Sequence, residues 1–251
     1  MVDLFYITAL LAHGIKKYLR WNYHMFPNLL ILGNSGSGKS YAILLLLARI
    51  VLQIPNSRLW VCDYKNELLT QSMNEVLMRP KDEALTQSTQ PTPRYWGYKD
   101  VMQGFNDFYA VFEDRLNGNP DRTFCLLMID EYISWLSSLE KREAEEIRKR
   151  TAQLSFMIRS LNMHLVLGCQ RGMATDFAYG SRDCLNVIFL GSPSKESIRS
   201  FVTGEEAEAI KPCHRGSGYV IFDGRPPKGI TVPTVQDMAK VQKIILDGIS
   251  R

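Results

Sequence analysis

The chain has no CxxC pair, and none of its five cysteines, Cys62, Cys125, Cys169, Cys184 and Cys213, has a histidine at metal-ligand spacing. That odd set excludes a disulfide framework and a zinc site and reads as free thiols in a reducing compartment. Those inside apolar runs act as small hydrophobes. A secretory leader is also missing: Met1-Val2-Asp3 precedes only a brief apolar stretch, Leu4 to Ala12, with no basic segment ahead of it. The longest apolar run, Tyr41 to Ile54, is broken by Arg49 and falls short of the roughly 20 residues that span a bilayer. A cytoplasmic protein without a membrane span is therefore expected. Neither charge sign dominates: 30 Lys and Arg face 26 Asp and Glu, and the net +4 permits an anionic partner without requiring one. There are no internal repeats, and 45% hydrophobic against 22% charged residues excludes a disordered chain.

Apolar runs rich in β-branched and aromatic residues recur at Asn28–Gly33, Arg58–Asp63, Phe124–Asp130, His164–Cys169 and Asn186–Leu190. Most are separated by helix-length segments, which specifies an α/β fold with a mostly parallel sheet flanked by helices. Gly218–Phe222 and Gly229–Val232 form a candidate hairpin at one edge of that sheet. Between Glu140 and Ser160, Ile147, Leu154, Met157, Ile158 and Leu161 keep helical spacing while the other face carries charge. Arg79 to Arg94 is polar and proline-bearing and reads as a surface loop or insertion, taken as about 79–99.

The strongest motif is Gly33-Asn34-Ser35-Gly36-Ser37-Gly38-Lys39-Ser40, which fits G-x-x-x-x-G-K-[ST] between an apolar strand and a helix-like run. The glycines let backbone amides wrap a phosphate, Lys39 reaches the β and γ phosphates, and the Ser40 hydroxyl ligates Mg²⁺. Tyr41, on the first turn of the helix, completes the candidate ATP-binding set. A second motif is the apolar strand Phe124–Ile129 ending in Asp130 and Glu131. This is a Walker B pattern, with Asp130 in the Mg²⁺ shell and Glu131 either the general base for water attack or an ordinary acid at a helix start. The third, Met163 to Cys169 followed by Gln170 and Arg171, ends another buried strand in an amide. Gln170 is either a sensor of the γ-phosphate or a strand cap.

Asn28–Ser40, followed by Asp63-Tyr64-Lys65-Asn66-Glu67-Leu68, resembles the FtsK/SpoIIIE branch of the HerA-FtsK superfamily, whose second strand ends in D-P-K-x-x-E-L. Tyr64 replaces the family's proline. The resemblance continues through Asp130-Glu131 and the Leu161–Arg171 run to Ser194–Phe201 and Arg215–Val220, and so covers most of residues 25 to 223. It implies a RecA-like P-loop NTPase of the ASCE type, assembled as a homo-oligomeric ring, usually a hexamer, that threads double-stranded DNA using ATP and Mg²⁺. On that reading residues 1–27 are an N-terminal helical segment packed on the motor, 28–223 the motor, and 224–251 a C-terminal tail. Lys141 and Arg142 align with a basic loop in the family and are candidate DNA contacts or simply solvated helix-start charges. Arg182 and Arg199 are candidate arginine fingers delivered to a neighbouring subunit.

The lone motor matches a mobile-element or phage protein whose anchoring or DNA selection rests with a partner. Two other readings stay open: a nucleotide-gated scaffold acting on a protein partner, and a P-loop kinase. The paired acids and Gln170 speak against the kinase.

Overall fold

A computed structural model of the chain describes residues 1–69, 93–177, 179–222 and 225–251. A ten-stranded sheet runs through them in the order β2-β1-β10-β9-β8-β3-β7-β6-β4-β5. Its parallel half comprises β8 (Asn186–Leu190), β3 (Asn28–Gly33), β7 (Met163–Cys169), β6 (Cys125–Asp130), β4 (Arg58–Asp63) and β5 (Tyr95–Gly97). All of these strands point the same way, so their C-terminal ends form one edge. Each expected strand of this half is present, and every residue of β3, β6, β7 and β8 is buried. Helices on both faces explain that continuous burial.

One face carries α2 (Lys39–Gln53), whose Ile43, Leu46, Leu47 and Ile50 are fully buried. The other carries α3 (Val101–Leu116), α4 (Tyr132–Ser138) and α5 (Lys141–Met157). There Phe105, Phe108 and Phe112, spaced along one side of α3, pack with Trp135, Ile147 and Leu154. Each such side chain contributes about 1.5–3 kcal/mol on leaving water. On α5 the expected apolar face is present except for Met157, which is 37% exposed where the helix tightens into a 3-10 turn at Ile158–Leu161.

Three expectations about the flanks are corrected. Residues 1–27 are not helical: β1 (Val2–Ile7) and β2 (Tyr18–Trp21) flank a single helical turn, α1 (Thr8–Leu11). Val2, Leu4, Phe5 and Trp21 are fully buried, and β1 pairs with β10 (Lys228–Thr231), giving partners to amides that an open edge would leave exposed. The hairpin of β9 (Ser217–Ile221) and β10 forms, but inside the sheet, between β8 and β1. Residues 225–251 are no tail: they supply β10 and α8 (Met238–Ser250), which packs on α2 and buries Ile245 and Ile249 completely. α8 starts where the Asp237 side chain accepts the Lys240 amide. Of the 79–99 loop, residues 79–92 lie outside the described residues; 95–97 form β5 and 98–100 a 3-10 turn into α3. No described helix is long and apolar enough to cross a membrane.

At the opposite edge of the sheet, His164 is stacked on Phe124 with ring centroids 4.3 Å apart and meets Trp21 and Tyr23 edge-on. Burial, with His24 adding a little, pushes its pKa down to about 3. The unfolded chain takes up this proton near pH 6.5 and the folded chain does not. Stability is therefore lost as pH falls from 6.5 toward 3, by up to about 1.4 kcal/mol per pH unit from this group. Urea unfolding at pH 7 and pH 5 is expected to give a smaller acid loss for His164→Phe than for the wild type.

Candidate nucleotide site

The loop after β3 combines left-handed residues with a helix start. Gly36 (φ +80°) and Gly38 (φ +92°) take backbone conformations that side chains disfavour, and the Ser37 amide closes a turn onto the Asn34 carbonyl at 3.0 Å. α2 then begins at Lys39 and points its free amides into the loop, an arrangement suited to phosphate. The loop is braced from outside. The Asn34 side chain donates to the Ser192 carbonyl (2.9 Å) after β8, and the Ser37 carbonyl accepts from the Gly216 amide (2.9 Å) before β9. The Tyr41 hydroxyl donates to the Pro233 carbonyl (3.2 Å) and accepts from the Val235 amide (2.7 Å). What Tyr41 offers a nucleotide is therefore its backbone amide. Gly33, Ser35 and Ser40 complete the loop as the sequence implies, with Ser35 and Ser40 exposed.

Three acids meet this loop at the strand ends. The β4–β6 register sets Asp63 beside Asp130, and Glu131 follows Asp130 in the left-handed region (φ 55°, ψ 42°). Lys39, buried at 6% exposure, donates to Asp130 Oδ1 (2.5 Å) and Glu131 Oε1 (3.0 Å). Glu131 Oε1 also accepts from Lys65 Nζ (2.9 Å) and Gln170 Nε2 (3.2 Å). Asp63 is held apart from these, accepting the Leu68 amide (2.6 Å) and the Tyr95 hydroxyl (2.7 Å). On β7, Gly168 makes the room: a Cβ there would stand 2.5 Å from Asp130 Oδ1.

The electrostatics follow from burial against pairing. Burial works against the Lys39 ammonium, but Asp130 and then Glu131 outweigh it, so its pKa is raised. Burial raises the Asp130 pKa, with Lys39 only partly offsetting it and Glu131 and Asp63 adding to the rise. Glu131 is also pushed up by burial, yet Lys39 and Lys65 prevail and hold its carboxyl below the usual range. Glu131 is thus an ionised carboxylate fixed by two ammoniums and an amide.

The predicted Lys39, Asp130, Glu131 and Gln170 are brought together. Lys65 joins them and was missed as a site residue, although it stands in the Asp63-Tyr64-Lys65 run. The Ser40 hydroxyl makes no hydrogen bond among the described residues and lies on the turn that carries Lys39. No group of three or more His, Cys, Asp or Glu side chains able to hold a metal occurs among the described residues. One hydroxyl and one carboxylate suit Mg²⁺, which takes most of its ligands from water and phosphate. Arg182 precedes β8 at the far end of the parallel strands and pairs with Asp183 (2.8 Å). Arg199 is exposed on α6 (Lys195–Phe201), which follows β8. Lys141 and Arg142 are exposed on the first turn of α5.

Removing Lys39 would leave buried carboxylates short of a cation. Lys39→Met is expected to lower the stability of the nucleotide-free protein by about 3–5 kcal/mol. Without Lys39 the folded-state pKa of Asp130 lies further above its unfolded value, so the loss grows as pH rises through that pKa. Urea unfolding should show a smaller deficit at pH 5 than at pH 7.5.

No protein-family model matches the chain. It is 26% identical over 210 residues to the FtsK domain-containing protein YdcQ of Bacillus subtilis (strain 168), an alignment covering 82% of this chain and 42% of that protein. Among solved structures, the pCW3 conjugation coupling protein TcpA with ATPγS superposes with a TM-score of 0.68 at 14% identity, over 92% of this chain and 67% of that one. Thermomonospora curvata EccC (ATPases 2 and 3), in complex with a signal sequence peptide, gives 0.65 at 18% identity, over 94% of this chain and 41% of that one. The chain thus spans under half the length of the curated relative it matches. At such identities the structural likeness establishes the fold alone, a RecA-like, mostly parallel sheet flanked by helices. The sequence likeness to YdcQ, an FtsK domain-containing protein, agrees with the resemblance that the strand-end motifs carry.

Proposed function

We propose that this domain hydrolyses ATP to move double-stranded DNA, acting in the cytoplasm as a homo-oligomeric ring, a hexamer, for DNA transfer, segregation or packaging by a mobile element or phage. The observation that carries hydrolysis is Glu131, an ionised carboxylate at the strand end, fixed by Lys39, Lys65 and Gln170. When ATP enters, the loop amides of residues 34 to 41 receive its phosphates and Lys39 exchanges carboxylate for phosphate oxygen. Ser40 and Asp130 are the residues that would hold Mg²⁺, which supplies charge neutralisation at the phosphates. Glu131, relieved of Lys39, takes the proton of the attacking water, while Gln170 keeps the carboxylate oriented and registers the γ-phosphate. Transition-state charge is met by an arginine from the next subunit, Arg182 or Arg199, and Lys141 and Arg142 track the DNA backbone. TcpA, by its name a conjugation coupling protein, supports a DNA cargo. The signal peptide on EccC supports the second reading, a nucleotide-gated ATPase that acts on a protein partner.

Steady-state ATP hydrolysis with and without long linear duplex, with Lys39→Ala as the blank, separates the two. Marked stimulation by duplex is expected; hydrolysis indifferent to DNA favours the protein-partner reading. Glu131→Gln should bind ATP normally and turn over at least about 100-fold more slowly; near-normal turnover removes Glu131 from the role. Lys65→Met takes away one of the cations that lower the Glu131 pKa, so the acid limb of the pH–rate profile should move to higher pH. An unmoved limb would show that Lys65 does not tune the base.

A further inference from the structure

The turn Cys213–Ser217 is fastened by backbone to everything around the phosphate loop. The Cys213 amide donates to the Gly191 carbonyl (2.9 Å), the Gly191 amide to the Ser217 carbonyl (2.8 Å), and the Ser217 amide to the His214 carbonyl (3.0 Å). The Gly216 amide reaches the Ser37 carbonyl (2.9 Å), and the Val232 amide the Gly216 carbonyl (2.7 Å). Gly216 (φ +77°) abuts Gly38 so closely that a Cβ on Gly38 would stand 3.3 Å from the Gly216 amide nitrogen and 3.7 Å from Arg215 Cγ. The Arg215 stem therefore lies against the last residue of the phosphate loop. Its side chain is exposed and makes no hydrogen bond or ion pair among the described residues.

A rigid backbone carrying an uncommitted guanidinium is a pre-organised anion receptor, because little ordering remains to be done when the ligand arrives. Beyond Cγ an arginine extends by three further bonds to a planar fork suited to phosphate oxygens. From Gly38 that reach covers the cradle formed by the loop amides and Lys39.

Resting on the ATP-site reading above, we infer that Arg215 binds the polyphosphate of the nucleotide held by its own subunit. It is then a second cation beside Lys39, delivered in cis from the β8–β9 connection. Because Lys39 in this structure is committed to Asp130 and Glu131, Arg215 is also a cation still free to meet an incoming nucleotide.

The test measures equilibrium binding of ATP, ADP and AMP to Arg215→Ala, Arg215→Lys and Lys39→Ala, each in a Glu131→Gln background that suppresses turnover. Melting of the nucleotide-free proteins is the check on folding. For Arg215→Ala, ATP and ADP affinity should fall roughly tenfold, the scale of a charge-assisted phosphate contact, with AMP little changed and melting intact. Arg215→Lys should recover part of the loss, which a purely structural role for the turn would not predict. Unchanged ATP affinity in Arg215→Ala, with Lys39→Ala defective, overturns the inference and leaves the ATP site standing. An equal loss for AMP overturns it in favour of a base or ribose contact. Normal binding by both Arg215→Ala and Lys39→Ala removes the phosphate-loop reading and this inference together.

Discussion

The Lys39 ammonium between Asp130 and Glu131 is the contact on which the rest of the site depends. Parallel pairing of β4 with β6 sets Asp63 beside Asp130, and Glu131 follows at once, so three carboxylates crowd one buried strand edge. Isolated charges in such a place are costly to desolvate, and Asp130 responds with a raised pKa. Lys39 comes from the first turn of α2, and its bonds at 2.5 and 3.0 Å fix where that helix starts relative to β6. The phosphate loop, strung between β3 and α2, is held in shape partly from the acidic side. A nucleotide that draws Lys39 away must also bring a counter-charge for the acids, so phosphate and cation belong together at this edge.

Glu131 carries the strain that this arrangement entails. A non-glycine residue at φ 55° costs on the order of 1–3 kcal/mol and persists only where its surroundings over-determine it. Here they do. The Glu131 carbonyl accepts the Trp135 amide as α4 begins, its amide donates to Asp130 Oδ1 (3.1 Å), and three donors converge on Oε1. The left-handed turn lets one residue end a strand, open a helix and keep its carboxylate at the strand edge. Glu131 is also the acid at the start of α4, and its burial between two lysines and an amide is what the proposed role as base requires.

The phosphate loop and the Asp130-Glu131 pair were legible in the sequence because their chemistry is contiguous: each motif is a strand end plus the residues that follow it. Gln170 was legible by the same rule. Lys65 was not, since its role depends on β4 lying next to β6 rather than next to β3, and that adjacency is a property of sheet order. The flanks failed for another reason. β2 has only four residues, too short for a period-two pattern, and the hairpin strand β10 gives no sign in its own residues that β1 would pair with its outer side. Leu4 to Ala12 has no polar stripe, and the strand identity of its first part, Leu4–Ile7, comes only from pairing with β10 and β2.

Those flanking strands are tied to the site rather than appended to it. Ser37 is bonded to Gly216, ahead of β9, and Tyr41 to Pro233 and Val235, between β10 and α8. The loop is thus gripped at two residues by the segments that enter and leave one hairpin, and that hairpin carries β1 and β2 on its outer edge. A P-loop needs only a strand before it and a helix after it. This one also needs residues more than 170 positions further along the chain to hold its backbone. Truncation within 214–235 would therefore unbrace the phosphate loop itself, even though every residue of the G-x-x-x-x-G-K-[ST] motif remained in place.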